Sequence, residues 1–224
     1  MREDKAYREG VIMKDLLGGV SHLKQSTIRI QSDKVVYFDP IRINGTPGDA
    51  DALFISHSHY DHFSVEDVKK LVKKDTVLVL PEDCVKAAKE AGLTNVMTVR
   101  PSLGYEVGGL KFDTVPAYNI DKDFHKKESN WVGYIVTVNE TSYYFAGDTD
   151  FIPEMKDIKT DVAFLPVGGT YTMTWKEAVE AANTIKPLAA VPIHFADIVG
   201  TADDAKNFVN GLGSTIKGTI LKNA

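Results

Sequence analysis

Apolar positions in this chain fall into short runs whose period switches between two and about 3.6. Ile28 and Ile30 alternate with Arg29 and Gln31, and after Ser32-Asp33-Lys34 the run Val35-Val36-Tyr37-Phe38 follows. That alternation around a polar turn predicts a β-hairpin. Asp39-Pro40 closes it, and a loop carrying Asn44-Gly45 and Pro47-Gly48 leads to a third apolar run, Ala52-Leu53-Phe54-Ile55. Ser64-Val65-Glu66-Asp67 resembles a capping box, and Val68, Leu71 and Val72 have helical spacing behind it. A strand is predicted at Thr76 to Leu80, a helix from Pro81 to Gly92, and another strand at Val96 to Val99. Such alternation indicates sheets covered by helices.

The second half begins as β-structure: Tyr105 to Val107, a Gly108-Gly109 turn, then Leu110 to Val115. Pro116 to Asn130 is polar and aperiodic, the pattern of a loop that carries site residues. Trp131 to Val138 and Thr141 to Ala146 pair around Asn139-Glu140. A buried strand is predicted at Asp161 to Leu165, a helix capped by Thr174 and closed by Pro187, a strand at Ala189 to Ile193, and a last helix from Thr201 to Gly211. Residues 1–19 hold Val11, Ile12, Leu16 and Leu17, compatible with a short amphipathic helix or a frayed lead-in. No repeat, low-complexity tract or linker divides the chain, so one domain over residues 1–224 is expected.

Composition narrows the function. A chain of 224 residues with 43% hydrophobic and 25% charged positions can bury a sizeable core. Lysine and arginine number 26 against 31 acids, a net charge of -5, so nucleic acid is not the expected partner, because that affinity rests on cationic contacts to phosphates. Cys84 is the single cysteine; no intrachain disulfide can form, and any metal must be held by nitrogen and oxygen. Neither a signal-type apolar segment nor a membrane-length run is visible, and a cytoplasmic protein is expected.

The chemistry concentrates in Ser56-His57-Ser58-His59-Tyr60-Asp61-His62, directly after an apolar run and before the helix start at Ser64. Three of the chain's six histidines and an aspartate fall there. Histidine clusters of this density read as metal sites, and a chance surface loop is the weaker alternative. Two further strand ends carry the same chemistry: Asp148 in Gly147-Asp148-Thr149, and His194 after Ile193.

These residues carry a resemblance to the metallo-β-lactamase superfamily of metal-dependent hydrolases. Its H-x-H-x-D-H signature is His57, His59, Asp61 and His62, and the later Gly-Asp-Thr and lone histidine also match. Within the superfamily the chain looks most like the branch related to ascorbate-phosphate lactonase and N-acyl-phosphatidylethanolamine phospholipase D, through Val115 to Asn119, Tyr144 to Pro153 and Leu165 to Met173. One departure stands out: related sequences commonly carry Gly-His in the first hairpin, where Lys24-Gln25 stands here. His22, three positions earlier, reads as structural.

The resemblance implies an α/β (α+β) fold, a four-layer αββα sandwich with its metal site at one edge of two facing sheets. It implies two divalent ions, zinc first, with manganese and iron as alternatives. His57, His59 and a later histidine would hold one ion, Asp61, His62 and His194 the other, and Asp148 would bridge them. His125, the only histidine between His62 and His194, is expected to complete the first set, with Asn119 or water as the alternative in that position. The implied reaction is hydrolysis by a metal-bridging hydroxide of a small ester, lactone or phosphodiester, with Asp61 and His194 as catalytic groups. A nucleic-acid-processing hydrolase and a metal-binding protein without turnover stay open as alternatives. A flavodiiron-type reductase does not fit, since glutamate is typical there at the position of His59.

Asp39 is expected either to brace the ligand loop by hydrogen bonds or simply to form an Asp-Pro turn. Tyr118, Asn119 and Tyr171 are candidates for substrate contact or oxyanion donation, and Gly168 and Gly169 for a close approach beneath the metals. Lys122, Lys126 and Lys127 offer an anion site or a solvated face. A homo-oligomer is compatible with the sequence.

Overall fold

The computed structural model describes residues 15–221. Two sheets form the interior. The N-terminal sheet has the order β1 (Val20–Lys24), β2 (Thr27–Gln31), β3 (Val35–Phe38), β4 (Ala50–Phe54), β5 (Val72–Pro81), β6 (Val96–Val99). Its first three strands are antiparallel and the last four parallel. In the second sheet β7 (Gly104–Val107), β8 (Leu110–Pro116), β9 (Val132–Val138) and β10 (Thr141–Phe145) are antiparallel. It continues in parallel through β11 (Val162–Pro166), β12 (Ala189–Ile193) and β13 (Lys217–Gly218).

Parallel steps need crossovers, and helices supply most of them. Helix α1 (Val65–Leu71) lies between β4 and β5, and α2 (Glu82–Glu90) between β5 and β6. In the second half α3 (Trp175–Ile185) joins β11 to β12 and α4 (Ala202–Gly211) joins β12 to β13. Leu53, Ile55, Leu71, Cys84 and Ala88 pack one sheet against its helices; Leu165, Ala178, Ala182 and Phe208 do the same for the other. The sheets meet over Phe38, Phe54, Phe112, Tyr134 and Phe145, with Phe38 stacked on Phe145 at 4.9 Å and Phe54 edge-on to Tyr134 at 5.1 Å. These four layers are the expected αββα sandwich.

Strand direction decides where the chemistry collects. Because β1, β3 and β4 run the same way, the residues that follow them, Gln25, Asp39 and His57 to His62, leave the first sheet at one edge. In the second sheet β8, β10, β11 and β12 likewise share a direction, so His125, Asp148, Gly168 and His194 leave together. Two bonds join these edges at the ligand turn: Tyr134 Oη donates to the Ile55 carbonyl at 2.6 Å, and Val132 N–H to that of Ser56 at 3.2 Å.

Two local expectations change. Leu16 and Leu17 sit in a turn and pack against the inter-sheet core rather than forming a helix; residues 1–14 of the lead-in lie outside the described residues. Val20–Lys24 is an edge strand that period alone did not mark, because only Val20 and His22 are buried along it.

Candidate metal centre

Three elements of the second sheet and one turn of the first bring seven donor-bearing residues together. A ring nitrogen from each of His57, His59 and His125 lies within 4.8 Å of the others, and one donor atom from each of Asp61, His62 and His194 does the same. In the first group His57 Nε2 is 3.0 Å from His59 Nδ1, and His125 Nε2 is 3.3 Å from the same atom. Asp148 stands between the groups. Its Oδ2 is 3.4 Å from His125 Nε2 and 3.2 Å from His194 Nε2, and its Oδ1 is 3.3 Å from His62 Nε2.

Hydrogen bonds settle which nitrogen of His57, His62 and His125 faces inward. Asp39, fully buried, accepts the Ser56 N–H at 2.7 Å through Oδ1, and through Oδ2 the Ser56 hydroxyl at 2.5 Å and His62 Nδ1 at 2.6 Å. Ser56 Oγ in turn accepts from His57 Nδ1 at 2.8 Å. Asp39 therefore braces the ligand turn, as a carboxylate behind metal-facing imidazoles does, and the simpler turn-forming role does not account for these bonds. His125 Nδ1 donates to the Tyr171 carbonyl at 3.1 Å, and Asn119 Nδ2 donates to the same oxygen at 2.8 Å. Each of His57, His62 and His125 thus turns Nε2 inward.

The donor set fits divalent cations. Among the described residues His62 Nε2, His194 Nε2 and Asp148 Oδ1 are buried without a hydrogen-bond partner although they face one another at close range. Such orphaned atoms are costly unless an unseen group satisfies them, and nitrogen and carboxylate oxygen suit zinc, manganese or iron.

Backbone strain concentrates at the same edge. Gln25, Asp39, His125 and His194 all take positive φ, between 42° and 56°, which costs on the order of 1–3 kcal/mol per residue and persists where surroundings enforce it. Glycine permits the tightest approach: a Cβ on Gly168 would lie 2.5 Å from the His194 carbonyl oxygen.

The groups differ in their affinity for protons. Burial lowers the pKa of His57, His59 and His125, the last to about 4. Burial also disfavours charge on His62 and His194, but carboxylates outweigh it. Asp148 and Asp39 raise His62 well above its ordinary value, and Asp148 with Asp61 brings His194 to about 9. Asp148, despite burial, is held well below the carboxylate range by His194 and His62.

The remaining candidates are placed less centrally. Tyr118 packs in the core between the second sheet and its helices, and its hydroxyl donates to Glu154 at 2.9 Å. Its side chain is thereby committed away from the two groups. Asn119 acts on Tyr171, and Tyr171 meets His125 through its backbone oxygen while its ring lies edge-on to Phe124 at 4.7 Å. Lys122, Lys126 and Lys127 are paired with Asp150, Asp123 and Glu154. Trp131, read only as a strand start, walls the first group, with its ring 4.7, 4.8 and 5.4 Å from those of His57, His59 and His125. Ser56 was also missed; its place just before the histidines was the available signal.

An αββα sandwich whose carboxyl edge gathers histidine and aspartate donors from both sheets is the architecture of metallo-β-lactamase-fold hydrolases. A family model described as the beta-lactamase superfamily domain matches residues 20–194, and the chain belongs to that superfamily. It is 30% identical over 221 residues to a UPF0173 metal-dependent hydrolase of Thermococcus onnurineus, covering 91% of this chain and 96% of the relative. A counterpart in Bacillus thuringiensis is 31% identical over 211 residues, covering 86% and 92%. The protein is accordingly a metal-dependent hydrolase. In fold it is similar to a metallo hydrolase of Ignicoccus hospitalis, with TM-score 0.76, 20% identity and 92% and 95% of the chains covered. It is also similar to an isothiocyanate hydrolase from Delia radicum gut bacteria, with TM-score 0.70, 16% identity and 92% and 96% covered.

Proposed function

We propose that this single-domain hydrolase holds two divalent ions, zinc foremost, and cleaves a small ester or lactone. The observation that carries this reading is the pair of donor groups that Asp148 faces, with His62 Nε2, His194 Nε2 and Asp148 Oδ1 buried without a hydrogen bond among the described residues. His57, His59 and His125 would hold one ion, Asp61, His62 and His194 the second, and Asp148 would serve both. When bound, such ions make water a nucleophile near neutral pH and offset charge that develops on the substrate.

The chain's own residues do the rest. Asp39 and Ser56 hold the rings of His57 and His62 in one tautomer. Asp61 and His194 flank the place where water and substrate meet, and Trp131 shields the first group from solvent. Hydrolysis adds water across the acyl–oxygen bond, which breaks to give a carboxylic acid and an alcohol. A carbonyl substrate is favoured over a phosphodiester because Lys122, Lys126, Lys127 and Arg42 are each engaged by a carboxylate. Beside the donors, Tyr60 and Phe124 expose apolar surface. Among the described residues no helix is long and apolar enough to cross a membrane.

A panel of aryl esters, lactones and a bis-aryl phosphodiester, assayed with zinc-, manganese- and iron-loaded protein, tests the proposal. Metal-dependent turnover of esters or lactones above the phosphodiester supports it. Phosphodiester turnover alone overturns the substrate class, and no turnover with any metal returns the protein to a metal-binding role.

A further inference from the structure

Gln25 occupies the turn between β1 and β2, far in sequence from every donor of the metal centre. Its side chain is 2% exposed, and its backbone takes a left-handed φ of 48° that glutamine seldom adopts. Three contacts tie it down. Its carbonyl oxygen accepts the His194 backbone N–H at 2.9 Å and His22 Nε2 at 2.7 Å, and its Nε2 donates to Asp61 Oδ2 at 3.4 Å. The same Asp61 oxygen faces His62 Nε2 at 3.5 Å and His194 Nε2 at 3.7 Å. One residue on the first sheet therefore touches two of the three members of the second donor group, and one of those members comes from the second sheet.

The direction of the amide follows from chemistry. Turned over, Oε1 would confront the Asp61 carboxylate, two acceptors with no proton between them. In this orientation Oε1 is buried without a donor among the described residues. The protein thus tolerates an unsatisfied oxygen in order to aim the amide N–H at Asp61, a cost that pure packing would avoid. His22 has a part in this, since its ring holds the carbonyl that also receives His194.

We propose that Gln25 is a positioning residue for the second metal. Its amide sets the direction of Asp61, and its carbonyl, steadied by His22, sets the backbone position of His194. The proposal rests on the two-ion reading above. It requires Gln25 variants to affect the two ions unequally, which a general loss of packing would not do.

Two variants remove the amide while keeping the backbone carbonyl. Gln25→Gly suits a positive φ and keeps the carbonyl while removing the amide; Gln25→Met keeps bulk and removes only the hydrogen-bonding group. Each is loaded with cobalt(II), followed by visible absorption and chelator competition, and assayed for kcat and KM. The expected result in both is a first ion held as in the native protein and a second that is about 10- to 100-fold weaker, the range for losing a group that orients a ligand. kcat should fall with KM unchanged. Two ions held with native affinity in both variants would overturn the role of Gln25 while leaving the two-ion reading intact. A native protein that takes up one ion only would overturn both.

Discussion

The two donor groups sit on the same edge of the sandwich and share Asp148, yet they stand in opposite relation to protons. The first is three imidazoles walled by Trp131, where burial keeps His57, His59 and His125 neutral. The second sets His62 and His194 among the carboxylates of Asp39, Asp61 and Asp148, which overcome burial and favour the charged rings. On the two-ion reading, the first group would accept a cation as it stands and the second would first release protons. The lesson is that the donor inventory alone does not rank the two; the carboxylates behind the rings do.

Asp148 is where the comparison can be broken most severely, because its carboxylate faces His125 of the first group and His62 and His194 of the second. Asp148→Asn should reduce kcat on the order of 10³-fold, the scale of losing a central electrostatic element, and should weaken both ions together. Steady-state kinetics with metal analysis of the same sample checks this. Loss of only one ion would mean that Asp148 belongs to a single group.

His125→Ala should separate the groups instead. The first loses a donor and its tie to Tyr171, so one ion should become at least about 10- to 100-fold weaker, while the Asp61, His62 and His194 group stays filled. Dialysis against a chelator should leave close to one ion per chain, and retention of both would reduce His125 to a loop residue.

The smallest effect is graded. Burial lowers His125 to about 4, so on the two-ion reading the first group would bind metal with little proton competition above pH 5. Despite burial, Asp148 and Asp61 bring His194 to about 9, and Asp148 and Asp39 raise His62 well above its ordinary value, so on the same reading protons would leave the second group on binding. Affinity of the second group should then rise about tenfold per pH unit for each proton released across pH 6 to 8. Zinc titrations at pH 6, 7 and 8 should show one flat and one rising constant; two parallel curves would contradict the contrast.

The same division explains what could be read from the chain beforehand. His57 to His62 lie in one turn between a strand and a capped helix, so spacing alone exposed them, and the βα alternation around them was equally plain. Asp148 and His194 come from separate strands; nothing local joins them, and only the resemblance did. His125 lay in a loop whose lysines suggested solvent, yet its ring is buried because Tyr171 and Asn119 come from distant elements to enclose it. Tyr118 misled for a related reason. A polar aromatic in a site loop suggests substrate contact, but its hydroxyl went to Glu154, 36 positions away. Gln25 was noted as a departure from related sequences, but its contact with Asp61 could not be seen, since it depends on the left-handed turn and on both sheets closing.

Elemental analysis of native protein, loaded with zinc and then freed of excess metal at pH 8, tests the two-group account most directly. The account predicts close to two zinc ions per chain, since six nitrogen or oxygen donors besides Asp148 exceed what one tetrahedral zinc can use. A stable value of one ion or none would contradict it.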